Sequence, residues 1–392
     1  MNVILFDDPL ARAQLLPLTF TRPVASLRVG ILTIAEKWRM RLNADVSFGT
    51  QAYLATKFPY VTTDDNYWIS GSVCPDEAFI AVLRILKPGD AIGKNGRILA
   101  VRTADDEVPE VIAGTVHSYP GELTIIDQPW KIFNQNGPQL RIDFEIITKG
   151  RRSHPITDKA TVVYSEANVF VEEGVTTKAA ILNADNGPIY LGKHSQVQEG
   201  AIIRGPFCLG DRSIINMGGK MRGDTTIGPD CKIGGEVANS VVYGFANKAH
   251  DGYLGNSVIG EWCNLGADTN TSNMKNTYDV VKLWSHSTRS FVSTGLYFCG
   301  LIMGDHSKTG INAMFNTGSV VGVNSNVVND GGYAPNFVPS FSWAGKNTYD
   351  IEKALSTAER VMGRRHQIMT DDDRSVLREV FALTSSDRKW KV

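Results

Sequence analysis

The sequence predicts a parallel β-helix carried between a small α/β domain and a helical tail, and three observations lead there. The first is a six-residue beat: Leu191, Val197, Ile203, Leu209, Ile215, Met221, Ile227 and Ile233 are all apolar at one phase. The second is that Gly192, Gly210 and Gly228 recur every three hexads, the length of one coil with three short faces. Stacked coils bury a continuous aliphatic column that a single coil leaves exposed. The third is the frequency of Gly, Asp, Asn and Pro in this stretch, which a 3.6-residue helical period does not tolerate.

The beat then breaks and resumes. Tyr253, Ile259 and Leu265 form a second register; Phe291, Tyr297, Met303, Phe315, Val321 and Val327 form a third, with Thr309 its polar member. Residues 234–240 and 266–290 are too irregular for coils and are expected to be extrusions, the usual place for chemistry on a rigid solenoid. The solenoid is assigned to residues 160–330. In residues 1–150, strand patterns at 3–6 and 67–69 alternate with helical spacing at 31–42 and an amphipathic stretch at 76–86, which together predict an α/β sheet domain. In the tail, 331–392, an extended segment at 333–343 precedes helices at 350–363 and 370–383. Thr370 is the predicted N-cap of the last, with Asp371, Asp372 and Asp373 favourable in its first turn. This tail is expected to cover one end of the solenoid.

Composition narrows the function. A chain of 392 residues with 42% hydrophobic content can bury two cores. A net charge of −1 implies no global attraction to nucleic acid or to a membrane, so neither is expected as a partner. No apolar run approaches membrane-spanning length, and the first residues read as a strand rather than a leader; the expectation is a soluble, cytoplasmic protein. The five cysteines lack paired metal-ligand spacing and read as small buried hydrophobes.

Pro17, Leu18, Thr19, Thr21, Arg22, Pro23, Leu27, Val29 and Gly30 form a pattern that resembles the opening of sugar-1-phosphate nucleotidyltransferases. The whole chain is similar to the bifunctional N-acetylglucosamine-1-phosphate uridylyltransferase and glucosamine-1-phosphate acetyltransferase family. The resemblance implies a shortened nucleotidyltransferase-like domain, a left-handed β-helix with hexapeptide repeats, and a homotrimer with acyl sites between neighbouring subunits. It also implies acetyl-CoA as acyl donor and a sugar phosphate or sugar nucleotide as acceptor. The family's glycine-rich loop is replaced by Asp7, Asp8, Pro9, Leu10, Ala11 and Arg12, a poor nest for phosphate. Ser72 stands where the family has a metal-binding Asp and lacks the anionic oxygen that Mg²⁺ prefers. A Mg²⁺ ion in this domain would have Asp7 and Asp8 as candidate ligands. Arg22, Arg28 and Lys37 are candidates for a nucleotide or phosphate; the alternative is that Arg22 and Arg28 pair with carboxylates such as Asp7 and Asp8.

The second register opens with His250, followed by Tyr253, Gly255, Asn264, Leu265, Gly266 and Ala267, which resembles the same family's acetyltransferase signature without a gap. The resemblance makes His250 the general base, Lys248, Tyr253 and Asn264 the acceptor-binding residues, and Ala267 and Asn273 the acyl-donor contacts. A neutral imidazole suits the proton transfer that thioester attack requires. His286, on the predicted long extrusion, is a possible supporting residue, and Lys282 and Arg289 are further cations for a phosphate. Two alternatives stay open: active Mg²⁺-dependent nucleotidyl transfer in the first domain, and a non-catalytic trimer that binds a sugar nucleotide.

Overall fold

A computed structural model describes residues 1–328 and 331–388. By internal contacts the chain divides into two compact units: Met1–Arg28 with Leu32–Gln128, and Val29–Ile31 with the chain from Pro129 onward.

The first unit is built on the strand Asn2–Phe6, whose Val3, Ile4 and Leu5 are fully buried. It pairs in parallel with Val46–Gly49 on one side and Asn66–Ser70 on the other. Arg97–Thr103 and Ala91–Lys94 continue the sheet antiparallel, and Val116–Ser118 closes the edge. The first long helix begins at Ile34, three residues later than its spacing suggests, because Thr33 and Glu36 form a reciprocal capping box. Its Trp38 is fully buried and donates from Nε1 to the carbonyl of Val73 at 2.9 Å. The helix Glu77–Arg84 starts where Asp76 accepts from the amide of Phe79.

The second unit opens with the helices Pro129–Asn134 and Asn136–Thr148 and continues as the predicted parallel β-helix, with further helices after it. One of its faces has nine strands, from Val169–Val171 to Phe337–Val338. Val171, Leu191, Leu209, Ile227, Val242, Ile259, Met303, Val321 and Val338 lie directly above one another along it. All are buried in the single column that the beat implies.

The first interruption has a simpler cause than extrusion, whereas the second is an extrusion in part, since Ile259 pairs with Met303 and the chain between them carries a separate hairpin. After Ile233 the inward positions fall at Val237, Val242, Lys248 and Leu254, because four strands pair in register with the preceding coil across shortened corners. Residues 234–240, expected outside the coils, therefore contain the strand Glu236–Ala238 with Val237 in the core. Leu254 faces inward in place of Tyr253. The third register begins only at Met303: Phe291 and Tyr297 are exposed, and Phe291 lies in an antiparallel hairpin, Lys282–Ser285 with Ser290–Ser293. Of residues 266–290, the first part stays in the coil, since Asn270–Thr271 pairs with Met314–Phe315. Buried Thr309 is satisfied by the amide of Gly266 and the hydroxyl of Thr269, each at 2.9 Å.

One corner of the coil repeats a left-handed residue: His194, Arg212, Asp230, Phe245, Trp262, His306 and Asn324 all have φ between 53° and 62°. Each donates its amide to a carbonyl of the preceding coil, and these bonds hold side chains with a Cβ in a conformation that ordinarily disfavours them. The segment predicted as extended at 333–343 supplies a further coil, with Phe337–Val338 paired to Val320–Val321. Both predicted tail helices form, as Ile351–Gly363 capped by Asp350 and Asp371–Leu383 with a Thr370/Asp373 capping box.

Candidate active site

One face of the solenoid carries Lys232, Asn247, Asn264 and Lys308 in register on four consecutive coils. Each stands one residue before an inward position, so strand alternation turns its side chain outward. This ladder floors a cavity of about 670 Å³. On the corner side stand Phe245 and Trp262, stacked with ring centroids 4.0 Å apart and planes 9° apart. His306 continues that stack at 6.2 Å from Trp262. On the other side are Ala249, His250, Leu265, Gly266 and Ala267, and the helix Ile351–Gly363 brings Val361, Arg364 and Arg365 to the cavity from its C-terminal end.

The electrostatics of this cavity are one-sided. Lys232, Lys308, Arg364 and Arg365 line it, and no carboxylate is among the described lining residues. Arg365 donates to Oδ1 of Asn247 at 2.7 Å, which fixes one guanidinium over the ladder. Lys308 donates to the carbonyl of His306 at 2.7 Å, and burial pushes its ammonium pKa down. A cationic cleft with a flat aromatic wall suits a ligand that combines phosphates with a planar group.

Of the residues singled out in the sequence, His250, Asn264 and Ala267 meet at this cavity, with His250 exposed on its rim. Lys248 points into the solenoid core and is 2% exposed. Tyr253 lies on a neighbouring face, paired with Glu236; its hydroxyl accepts from Nδ2 of Asn273 at 3.0 Å, and that amide also donates to Asn256 at 2.8 Å. Burial, ahead of the nearby Glu236, pushes the Tyr253 phenol up. His286 and Arg289 both meet Asp387, at 3.7 Å and 2.8 Å, and neither lines the cavity. Lys232, Asn247, Lys308, Phe245, Trp262, Arg364 and Arg365 were not singled out in the sequence. The first three carry a signal there, the position just ahead of each inward residue; the tail arginines carry none.

In the first unit, the chain leaves Phe6 and enters the helix Pro9–Gln14 after two residues. Asp7 accepts from the amide of Val24 at 2.7 Å and the hydroxyl of Thr50 at 2.6 Å, and pairs with Arg12 at 3.3 Å. Burial raises its pKa despite those partners. Asp8 caps the helix by accepting from Ala11. Ser72 is buried and shares a hydrogen bond with Ser70. Neither carboxylate is arranged as an open ligand, and no cluster of three His, Cys, Asp or Glu suited to a metal occurs among the described residues. These residues do not fit Mg²⁺ as they stand. Arg22 and Lys37 are buried, and half-buried Arg28 lies 3.7 Å from Glu36.

Residues 3–152 match the sequence model of the sugar nucleotidyl transferase family. Bifunctional protein GlmU of Trichodesmium erythraeum is 38% identical over 96 residues, 24% of this chain and 16% of that protein. An uncharacterized acetyltransferase of Escherichia coli O6:K15:H31, YaiX, is 30% identical over 162 residues, 41% of this chain and 67% of that protein. The solved Arabidopsis UDP-N-acetylglucosamine acyltransferase aligns with 60% of this chain and 82% of its own at 15% identity and a TM-score of 0.24. The chain spans 16% to 26% of the length of the bifunctional relatives it matches. No helix among the described residues is long and apolar enough to cross a membrane.

Proposed function

We propose, from the premise that this chain belongs to the GlmU-like sugar nucleotidyltransferase/acetyltransferase family, that its second unit is an acyltransferase of sugar-nucleotide or amino-sugar metabolism. It moves an acetyl group from acetyl-CoA to a sugar phosphate or sugar nucleotide, with His250 as general base. The observation that carries this reading is the shared cavity: an imidazole on its rim, Asn264 and Ala267 beside it, and four cations with no carboxylate along the described lining.

The acceptor's amine or hydroxyl attacks the thioester carbonyl while the imidazole of His250 takes its proton. Asn264 orients the acceptor, and a backbone or Asn side-chain amide donates to the developing oxyanion. Collapse of that intermediate breaks the carbon–sulfur bond, and the imidazolium returns the proton to the departing CoA thiolate. Lys232, Lys308, Arg364 and Arg365 hold phosphate oxygens, and the Phe245–Trp262 pair offers a face to a planar base. Assembly is as a homotrimer with acyl sites between subunits. Supporting it, Val162, Ile181 and Ile202 form an exposed apolar ladder in register on the face that also carries Tyr253. Burial of that face between subunits gives Tyr253 and Asn273 a place in a shared site. Five cysteines buried as thiols suit the reducing cytoplasm.

Incubation with acetyl-CoA and a panel of amino-sugar phosphates tests this: free thiol should appear, and His250→Ala should abolish it while leaving the assembly mass unchanged. A second reading, nucleotidyl transfer in the first unit, is favoured by the family match over residues 3–152. Pyrophosphate release from a nucleoside triphosphate, a sugar-1-phosphate and Mg²⁺ would support it. Ligand-dependent stabilisation with neither turnover would point to the non-catalytic trimer.

A further inference from the structure

We propose that Lys248 is a positioning residue: its ammonium, set inside the aliphatic column, clasps the turn that carries His250 and fixes where the imidazole stands. The inference rests on the acyl-transfer reading of the His250 cavity.

Along this face the inward positions are Val197, Ile215 and Ile233, then Lys248, then Leu265. A methylene chain fills the same volume as its aliphatic neighbours, so packing alone would be met by Met or Leu. An ammonium there loses its hydration, a cost that only dedicated partners offset. The partners are in place: Nζ donates to the carbonyls of His250 at 2.8 Å, Asp251 at 3.3 Å and Gly234 at 3.4 Å. Three carbonyls occupy the three donors, so Lys248 has none left for substrate. Burial pushes its pKa down to about 8 against the opposing pull of Asp251 and Asp268.

The turn is built closely around this group. Gly235 has φ 69°, and a Cβ there would lie 2.6 Å from the carbonyl of Gly252 and 2.9 Å from Nζ of Lys248. Gly252 has φ 115°, and a Cβ on it would meet the carbonyl of Thr269 at 2.3 Å. The coil is also shortened here, with Lys248 paired to Ile233 across fifteen residues rather than the eighteen of the preceding coils. The carbonyl of Asp251 also accepts from the amide of Asp268 in the next coil at 3.1 Å, so the ammonium ties the His250 turn to the coils on either side of it. Its first and shortest bond is to the residue whose side chain stands at the cavity rim.

The test compares the full-length wild type with Lys248→Met, Lys248→Gln and a control in the same column, Ile215→Val, by amide hydrogen exchange and by acetyl-transfer kinetics. In Lys248→Met, exchange over residues 249–252 should rise about tenfold, while coils remote from it change as little as in the control. The kcat should fall about tenfold with the KM for acetyl-CoA within about twofold, and Lys248→Gln, which keeps an N–H donor, should recover part of both. Unchanged exchange over 249–252 in both Lys248 variants overturns the proposal, as does a tightened turn. If Lys248→Met fails to fold, Lys248→Gln alone decides on the same exchange readout. Faster exchange at the turn in a protein that never releases thiol from acetyl-CoA leaves the clasp standing and removes the acyl-transfer reading instead.

Discussion

Acidification from pH 7 to pH 4 should weaken the second unit by roughly 3 kcal/mol through His286 alone. This residue sits in the tip between Lys282–Ser285 and Ser290–Ser293, with a side chain only 6% exposed. Its ring packs edge-on against Phe337 at 5.4 Å, and Trp284 stacks on the same phenyl at 4.4 Å. Burial, and then the charge of Arg289, lower its pKa from 6.5 to about 4. Asp387 lies 3.7 Å from Nδ1 and by itself would favour a protonated ring, but its carboxylate is committed to Arg289 at 2.8 Å, so burial wins. The folded-state pKa is therefore depressed, and the unfolded chain takes up the proton first. Stability is fully present above pH 6.5, declines as pH falls through the interval, and the loss is complete below about 4. A folded-state pKa of about 4 against 6.5 in the unfolded chain, at about 1.4 kcal/mol per tenfold change in proton affinity, gives the roughly 3 kcal/mol. Urea unfolding followed by tryptophan fluorescence between pH 4 and 7.5 measures it, with His286→Phe as the reference that removes this one titration and leaves the carboxylates in place. Parallel pH profiles for the two proteins, or a ring resonance titrating at or above 6.5, would refute the argument.

Three further outcomes follow from the same structure. Leu209→Ala, in the fully buried column, should cost about 2–5 kcal/mol in denaturant unfolding, because stacked coils cannot close onto the space left behind. Gly228→Ala should fail to accumulate as folded protein by circular dichroism, since its Cβ would sit 1.9 Å from the carbonyl of Tyr243. Lys232→Ala with Arg364→Ala should weaken CoA binding in calorimetry and flatten its dependence on salt, the signature of lost phosphate contacts rather than lost fold.

The solenoid was legible because steps of six from Leu191 to Ile233 are a property of sequence alone. It became illegible where pairing overrides spacing: the shortened corners that put Val237 and Val242 inward are set by register with the previous coil, which no periodicity reports. The same one-residue change of phase turned Tyr253 outward and brought Leu254 into the core. His250, Asn264 and Ala267 were found because their neighbours form an ungapped pattern. The other ladder members, Lys232, Asn247 and Lys308, escaped because each stands apart in sequence and joins a row only when coils stack. Arg364 and Arg365 reach the cavity through the fold of the tail, far along the chain from the coils they face.

A crystal structure of the protein with CoA and a sugar nucleotide tests the central claim most directly. The account predicts CoA density in the His250 cavity, its phosphates against Lys232, Lys308, Arg364 and Arg365, and its sulfur beside an acceptor group about 3 Å from the imidazole. CoA bound elsewhere, or an imidazole facing open solvent with the subunits assembled and both ligands present, would contradict it.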